Sequence, residues 1–207
     1  MVEYIAHRIN TKGDLHTIPS EYGVELDLRD SFGGGIYISH DPFVKGEDFE
    51  DYLKEYSCDN NFGRGTMILN IKSERIEFKV SELIKKYGIE KYFFLDSSFP
   101  MIKLLSDNGE RNIALRFSEY EGLDTVYAMK DKVKWVWVDC YSVFPLDKQT
   151  YLNIKNCDYK LCIVSPELQG QPEKITEYGQ YMKTNGIIPD AVCTKFENIE
   201  KWKQIFD

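Results

Sequence analysis

Eight short apolar runs recur along the 207-residue chain, separated by stretches of helical character. The runs are Tyr4–Ile9, Gly23–Arg29, Thr66–Lys72, Tyr92–Asp96, Asn112–Phe117, Trp135–Cys140, Lys160–Ser165 and Asp190–Lys195. Each is too short for a core helix and fits a strand buried on both faces. Helices are predicted over Asp48–Tyr56, Ser81–Tyr87, Met101–Ser106, Leu146–Asn153, Pro172–Lys183 and Asn198–Phe206, with a weaker one at Leu123–Met129. Strands alternating with helices imply parallel pairing through right-handed crossovers. Eight such units predict an α/β fold, a small TIM-type (β/α)8 barrel spanning residues 1–207 as one domain. An open doubly wound sheet is the runner-up. Gly33-Gly34-Gly35 leads into a strand-like run, Ile36–Ser39, rather than a helix, which speaks against a dinucleotide loop.

The barrel reading makes a prediction about faces, because strand side chains point to opposite sides in turn. Val24, Leu26 and Leu28 would meet the helices, which turns Glu25, Asp27 and Arg29 inward. Met67, Leu69 and Ile71 do the same for Asn70 and Lys72. Ile113, Leu115 and Phe117 leave Arg116 inside, and Val136 and Val138 leave Trp137 and Asp139 there. Charge thus gathers near the strand ends. Barrel cores are mostly branched and apolar, so a charged inner row marks the mouth where active sites form.

Composition removes several function classes. A net charge of −8 and a pI near 5.0 argue against broad nucleic-acid affinity and against a polybasic grip on anionic lipid. No apolar stretch approaches the roughly 18–20 residues of a membrane span, and the first residues lack a signal-peptide pattern. The five cysteines are odd in number and form no Cys-x-x-Cys pair, which suits reduced thiols in a cytoplasmic protein.

The chemistry-bearing residues cluster early. His7-Arg8 closes the first strand, Glu25 and Asp27 lie two apart on the second, and His40-Asp41 follows the glycine turn. Two of the three histidines are in this set. An imidazole pair suits general acid/base work, and paired carboxylates suit a hard cation. Both together suit a phosphodiester. Arg8 matches phosphate oxygens in pairs, and Lys72 suits transition-state charge. Asp41 either caps a turn or orients His40. Asp139, Glu167 and Lys195 are further mouth candidates, His16 lies in the first loop, and Ser165–Pro172 reads as a site-side loop or a plain connector.

This ordered set resembles the glycerophosphodiester phosphodiesterase superfamily, which includes phosphatidylinositol-specific phospholipase C and sphingomyelinase D relatives. That superfamily has His-Arg at the end of strand one, Glu-x-Asp on strand two, His-Asp soon after, and carboxylate-x-Lys on strand three. Here these are His7-Arg8, Glu25-Leu-Asp27, His40-Asp41 and Asn70-Ile-Lys72. Leu95-Asp-Ser-Ser-Phe99 resembles its Ser-Ser-Phe segment, and Ala191–Lys195 its last strand. The resemblance implies catalysis by His7 and His40, a Mg2+ or Ca2+ ion on Glu25, Asp27 and Asn70, and a cyclic phosphate intermediate. It implies phosphate and substrate contacts from Arg8, Lys72, Arg116 and Trp137. The implied substrate is a small polar phosphodiester, with glycerol, sugar or polyol esters, and no nucleic acid or stable membrane partner.

Asn70 departs from the pattern, since the superfamily has a carboxylate there. Its amide oxygen can still ligate, without formal charge. Glu74 lies roughly 13 Å along an extended strand, too far to replace it. A metal-free variant would use a cation instead, with Lys72, Arg29 or Arg116 available. Two other readings stay open: a binding protein whose catalysis has decayed, and a phosphosugar isomerase or aldolase using Lys195 or Lys72.

Overall fold

The computed structural model describes residues 1–58 and 64–207, the side chain of Cys58 excepted. The first half runs β1 (Glu3–Ala6), α1 (Lys12–Thr17), β2 (Gly23–Asp30), β3 (Ile36–Ile38), β4 (Glu47–Asp48), α2 (Phe49–Cys58), β5 (Met67–Ile71) and α3 (Glu77–Lys86). The second half runs β6 (Tyr92–Leu95), α4 (Phe99–Asp107), β7 (Ala114–Phe117), α5 (Asp124–Ala128), β8 (Trp135–Val138), α6 (Lys148–Lys155), β9 (Lys160–Val164), α7 (Ile175–Thr184), β10 (Ala191–Thr194) and α8 (Ile199–Phe206).

Eight strands form a parallel ring. β2, β5 and β6 follow β1 on one side, and β10, β9, β8 and β7 follow it on the other. A parallel bridge between Phe94 and Ile113 joins β6 to β7 and closes the barrel. This confirms the TIM-type barrel over the open sheet. β3 and β4 are antiparallel additions beside β2, and they carry the chain out over the mouth. Gly34 supplies the left-handed turn of that excursion, at φ 76°.

Two apolar cores follow from the strand alternation. The larger lies between strands and helices and contains Val24, Leu26, Leu28, Met67, Leu69, Leu115, Val136 and Val138. The smaller fills the barrel, with Ile5, Ile68, Phe93, Ala114, Trp135, Trp137 and Cys193 among its members. Phe93 and Trp135 stack there with centroids 4.6 Å apart. A filled lower barrel leaves only the C-terminal strand ends for polar side chains.

Several boundaries differ from expectation. Residues 12–17, expected as loop, form α1, capped by the Thr11 hydroxyl accepting from the Asp14 N–H. His16 therefore faces Glu55, with 3.2 Å between Nε2 and Oε1, and not the mouth. α3 begins four residues before the expected Ser81, at Glu77. Residues 166–169 form a 3-10 turn rather than an open loop. Among the described cysteines, Cys140, Cys157, Cys162 and Cys193 are free thiols.

Candidate functional site

The left-handed backbone at Arg8, φ 57°, shapes the end of β1. That conformation costs an arginine roughly 1–2 kcal/mol. It aims the Arg8 N–H at Glu25 Oε2, at 2.8 Å. The guanidinium Nε then lies 3.8 Å from Asp27 Oδ2, and the His7 ring lies 3.7 Å from Glu25 Oε2. Asn10, which sequence reasoning passed over, clamps Asp27 by its amide: Nδ2 donates to Oδ2 at 2.9 Å, and Oδ1 accepts the Asp27 N–H at 3.0 Å.

Glu25 and Asp27 are 0% and 1% exposed, a depth at which carboxylates need partners. β2 and β5 pair so that Asp27 stands beside Asn70, and Asn70 Nδ2 donates to Glu25 Oε1 at 2.8 Å. Two buried oxygens here lack hydrogen bonds, Asp27 Oδ1 and Asn70 Oδ1. Three hard oxygen donors on adjacent strands, two of them short of a partner, fit a divalent cation. Among the described residues no cluster of three or more His, Cys, Asp or Glu side chains has metal-holding geometry. The donor set therefore depends on the Asn70 amide oxygen. Lys72 Nζ lies 3.6 Å from Asp27 Oδ1 and offers that atom an alternative charge partner.

Burial pushes the His7 imidazole down to about 4, aided by the Arg8 guanidinium. Burial and the neighbouring Asp27 charge push Glu25 up to about 7. His7 is then neutral at pH 7. For Glu25 the folded state holds its proton more tightly than the unfolded one, so stability is lost as pH rises between 4.5 and about 7. In chelator, the Glu25→Gln variant should gain on the wild type by up to roughly 3 kcal/mol over that range. Urea titrations at several pH values read this directly. A difference independent of pH would show that Glu25 titrates normally.

Opposite this acid pair the mouth is cross-tied. Lys72 Nζ donates to Asp96 Oδ2 at 3.2 Å. Arg116 pairs with both Asp96 and Asp139, and its Nη1 donates to the Tyr141 hydroxyl at 2.9 Å. Asp139, 1% exposed, also accepts from Trp137 Nε1 at 3.1 Å and from Gln169 Nε2 at 2.7 Å. Asp96 sits in a second left-handed position, φ 60°, at the end of β6. Arg29, the third cation considered from sequence, donates to the carbonyls of His40 (2.6 Å) and Lys72 (3.0 Å). It braces the backbone behind the site. Glu74 accepts from the Ser98 hydroxyl at 2.6 Å, which holds it away from Asn70's neighbourhood.

His40 reaches the mouth from the excursion beyond β3, and its Nδ1 lies 2.8 Å from Asp41 Oδ1. That contact leaves Nε2 for other partners. A cavity of about 180 Å3 is lined by His7, Arg8, Asp27, His40, Asn70, Lys72, Arg116 and Trp137. Glu25 stands directly behind it. The nine residues to which the resemblance gives catalytic, phosphate, substrate or metal roles thus meet at one end of the barrel. Sequence reasoning missed Asn10, Asp96, Tyr141 and Gln169. Asp96 carried a signal, as the acid closing an apolar strand, and Gln169 lies within the 165–172 stretch read as a site-side loop or connector. Glu167 and Lys195 line a neighbouring cavity of about 510 Å3 that also touches His7 and Arg8. Glu167 is held there by the Ser165 and Thr194 hydroxyls and the Lys195 N–H.

The sequence matches no family model and no curated protein. Its fold is shared with solved structures. The glycerophosphodiester phosphodiesterase of Agrobacterium tumefaciens strain C58 superposes with a TM-score of 0.66, over 93% of this chain and 96% of its own, at 14% identity. The glycerophosphodiester phosphodiesterase of Thermotoga maritima gives 0.65, over 99% and 98%, at 18% identity. At such identities the likeness is one of fold.

Proposed function

We propose that this chain is a phosphodiesterase of the glycerophosphodiester class, hydrolysing a small polar phosphodiester by His/His acid–base catalysis. One observation carries the reading. Two imidazoles, two guanidiniums, an ammonium and buried carboxylates converge on one cavity of about 180 Å3 at the barrel mouth. The fold is shared with phosphodiesterases, a likeness that names no residue.

In this reading neutral His7 accepts the proton of the attacking oxygen, a hydroxyl of the substrate or water. The bond from phosphorus to the leaving alcohol breaks. His40, its ring held by Asp41, returns a proton to the departing oxygen. With a substrate hydroxyl as nucleophile the product is a cyclic phosphate, which water opens with the two roles reversed. Arg8 and Lys72 face the phosphoryl oxygens, where donors aimed at developing charge lower the barrier most. Glu25, Asp27 and the Asn70 amide oxygen are the residues that would hold Mg2+ or Ca2+, which when bound supplies Lewis-acid charge to the phosphate. Trp137 closes the cavity floor. The free thiols of Cys140, Cys157, Cys162 and Cys193 suit a cytoplasmic setting, and among the described residues no helix is long and apolar enough to cross a membrane.

The test is a panel of glycerophosphodiesters assayed with Mg2+, with Ca2+ and with chelator, following release of the free alcohol. Metal-dependent turnover of at least one diester is the expected result. Tight binding without turnover under every condition would favour the second reading, a ligand-binding barrel. That reading draws on Asn70, which ties up Glu25 in place of a third carboxylate.

A further inference from the structure

We infer that Glu77 and Ser97 are positioning residues for the proposed reaction: they lock the turn after β6 from its buried side, and so hold Asp96 against Lys72 at the mouth. They act within the phosphodiesterase reading, on which this inference rests. The turn needs a lock. Asp96 ends β6 in a left-handed conformation, φ 60°, and from there its carboxylate accepts from Lys72 Nζ at 3.2 Å and pairs with Arg116. Such a residue persists only where its surroundings over-determine it. Turned back to an extended backbone, Asp96 would swing off Lys72. Among the described residues Lys72 would then keep Asp27, 3.6 Å away and one of the proposed metal ligands, as its sole ion-pair partner.

The two serines that follow Asp96 both turn toward the β5–α3 connection. A serine at a helix N-cap ordinarily accepts from the first turn of its own helix. Ser98 is the N-cap residue of α4, yet its side chain makes no such bond. Its hydroxyl donates instead to Glu74 Oε1 at 2.6 Å, three residues before α3 begins. Ser97 is buried and lines the hollow that also contains Asp96 and Arg116. The Ser97-Ser98 pair thus ties the end of β6 to the entry of α3, the same two connections that Lys72 and Asp96 bridge at the mouth.

Glu77, the first residue of α3, is 0% exposed. Burial pushes its carboxyl above the ordinary range, while its own N–H and the Ser97 hydroxyl beside it pull the other way. Neither Glu77 oxygen nor Ser97 Oγ completes a hydrogen bond of normal geometry. A carboxyl so placed lowers stability, and the positive end of the helix offsets only part of that loss. An apolar side chain of similar size would fold at least as well. Stability therefore does not account for a glutamate at this position, whereas its reach to the residue next to Asp96 does.

Glu77→Leu, Glu77→Gln and Ser97→Ala test this on any diester the wild type hydrolyses. Glu77→Leu and Ser97→Ala should each lower kcat/KM by about tenfold, the effect of a displaced charge at the mouth. The urea midpoint of Glu77→Leu should nonetheless lie at or above that of the wild type. Glu77→Gln, whose amide still reaches the Ser97 hydroxyl, should restore most of the activity. On a Lys72→Ala background the Glu77→Leu loss should largely vanish, because the lock acts through Lys72. Undiminished kcat/KM in Glu77→Leu, a loss that follows a fallen urea midpoint, or a full loss without Lys72 would each overturn the lock and leave hydrolysis standing. Calorimetry with inorganic phosphate separates the two readings when the wild type hydrolyses no diester. Phosphate binding that Glu77→Leu weakens only while Lys72 is present would keep the lock and remove the phosphodiesterase reading. Phosphate binding indifferent to Glu77→Leu would then remove both.

Discussion

Replacing His7 or His40 by alanine should lower turnover of a responsive diester by about 10²–10⁴-fold, the usual span for a positioned general acid or base. The two losses should not multiply. Once one proton transfer is lost, the other no longer has its partner step, so the double variant should resemble the worse single one. The variants should also separate by substrate. A diester with a highly acidic leaving alcohol needs no proton on the departing oxygen. It should rescue His40→Ala by a large factor and leave His7→Ala impaired. The opposite rescue would exchange the two roles. Rescue of neither, with both variants near wild-type activity on every diester, would mean that the imidazoles converge on the cavity for another reason.

The geometry behind this expectation was legible in part from the order of residues. Barrel closure was readable because apolar residues hold the outer rows of β2, β5, β7 and β8, which forces Glu25, Asp27, Asn70, Lys72 and Arg116 inward. The pairing of Asp27 with Asn70 follows from that alternation once β2 and β5 are neighbours. What escaped was whatever depends on a backbone exception or on a register across distant strands. Arg8 reaches Glu25 through a left-handed residue that no periodicity announces. α1 buries only Leu15, too little to print a helical stripe on the sequence. Arg29 looked like a candidate for the site because it alternates with Glu25 and Asp27, but its length lets it turn back onto the His40 carbonyl. Asp96 and Asp139 find Arg116 only because β6, β7 and β8 lie side by side around the ring.

That last tie carries the largest expected effect on stability. Asp139 is 1% exposed, and Arg116 is the one cation paired with it among the described residues. Removing one partner of a buried pair leaves an uncompensated charge and costs roughly 3–5 kcal/mol. Arg116→Met should approach that figure, tempered by the Trp137, Tyr141 and Gln169 donors that stay on Asp139. The cost belongs to the stranded charge more than to the lost contact. Arg116→Met combined with Asp139→Asn should therefore recover most of the loss, because neither residue is then charged and the amide keeps an acceptor for Trp137 Nε1. Urea unfolding of the wild type, the two single variants and the double variant gives the coupling directly. A double variant as unstable as the sum of its singles would show that the arginine acts through packing alone. If the expected coupling appears, the same pairing explains how the mouth holds the Asp96 and Asp139 carboxylates beside a bound phosphoryl group. Arg116 pairs with both acids and Lys72 shares Asp96, so two cations stand against two carboxylates there, and Arg8 faces the cavity from the other side.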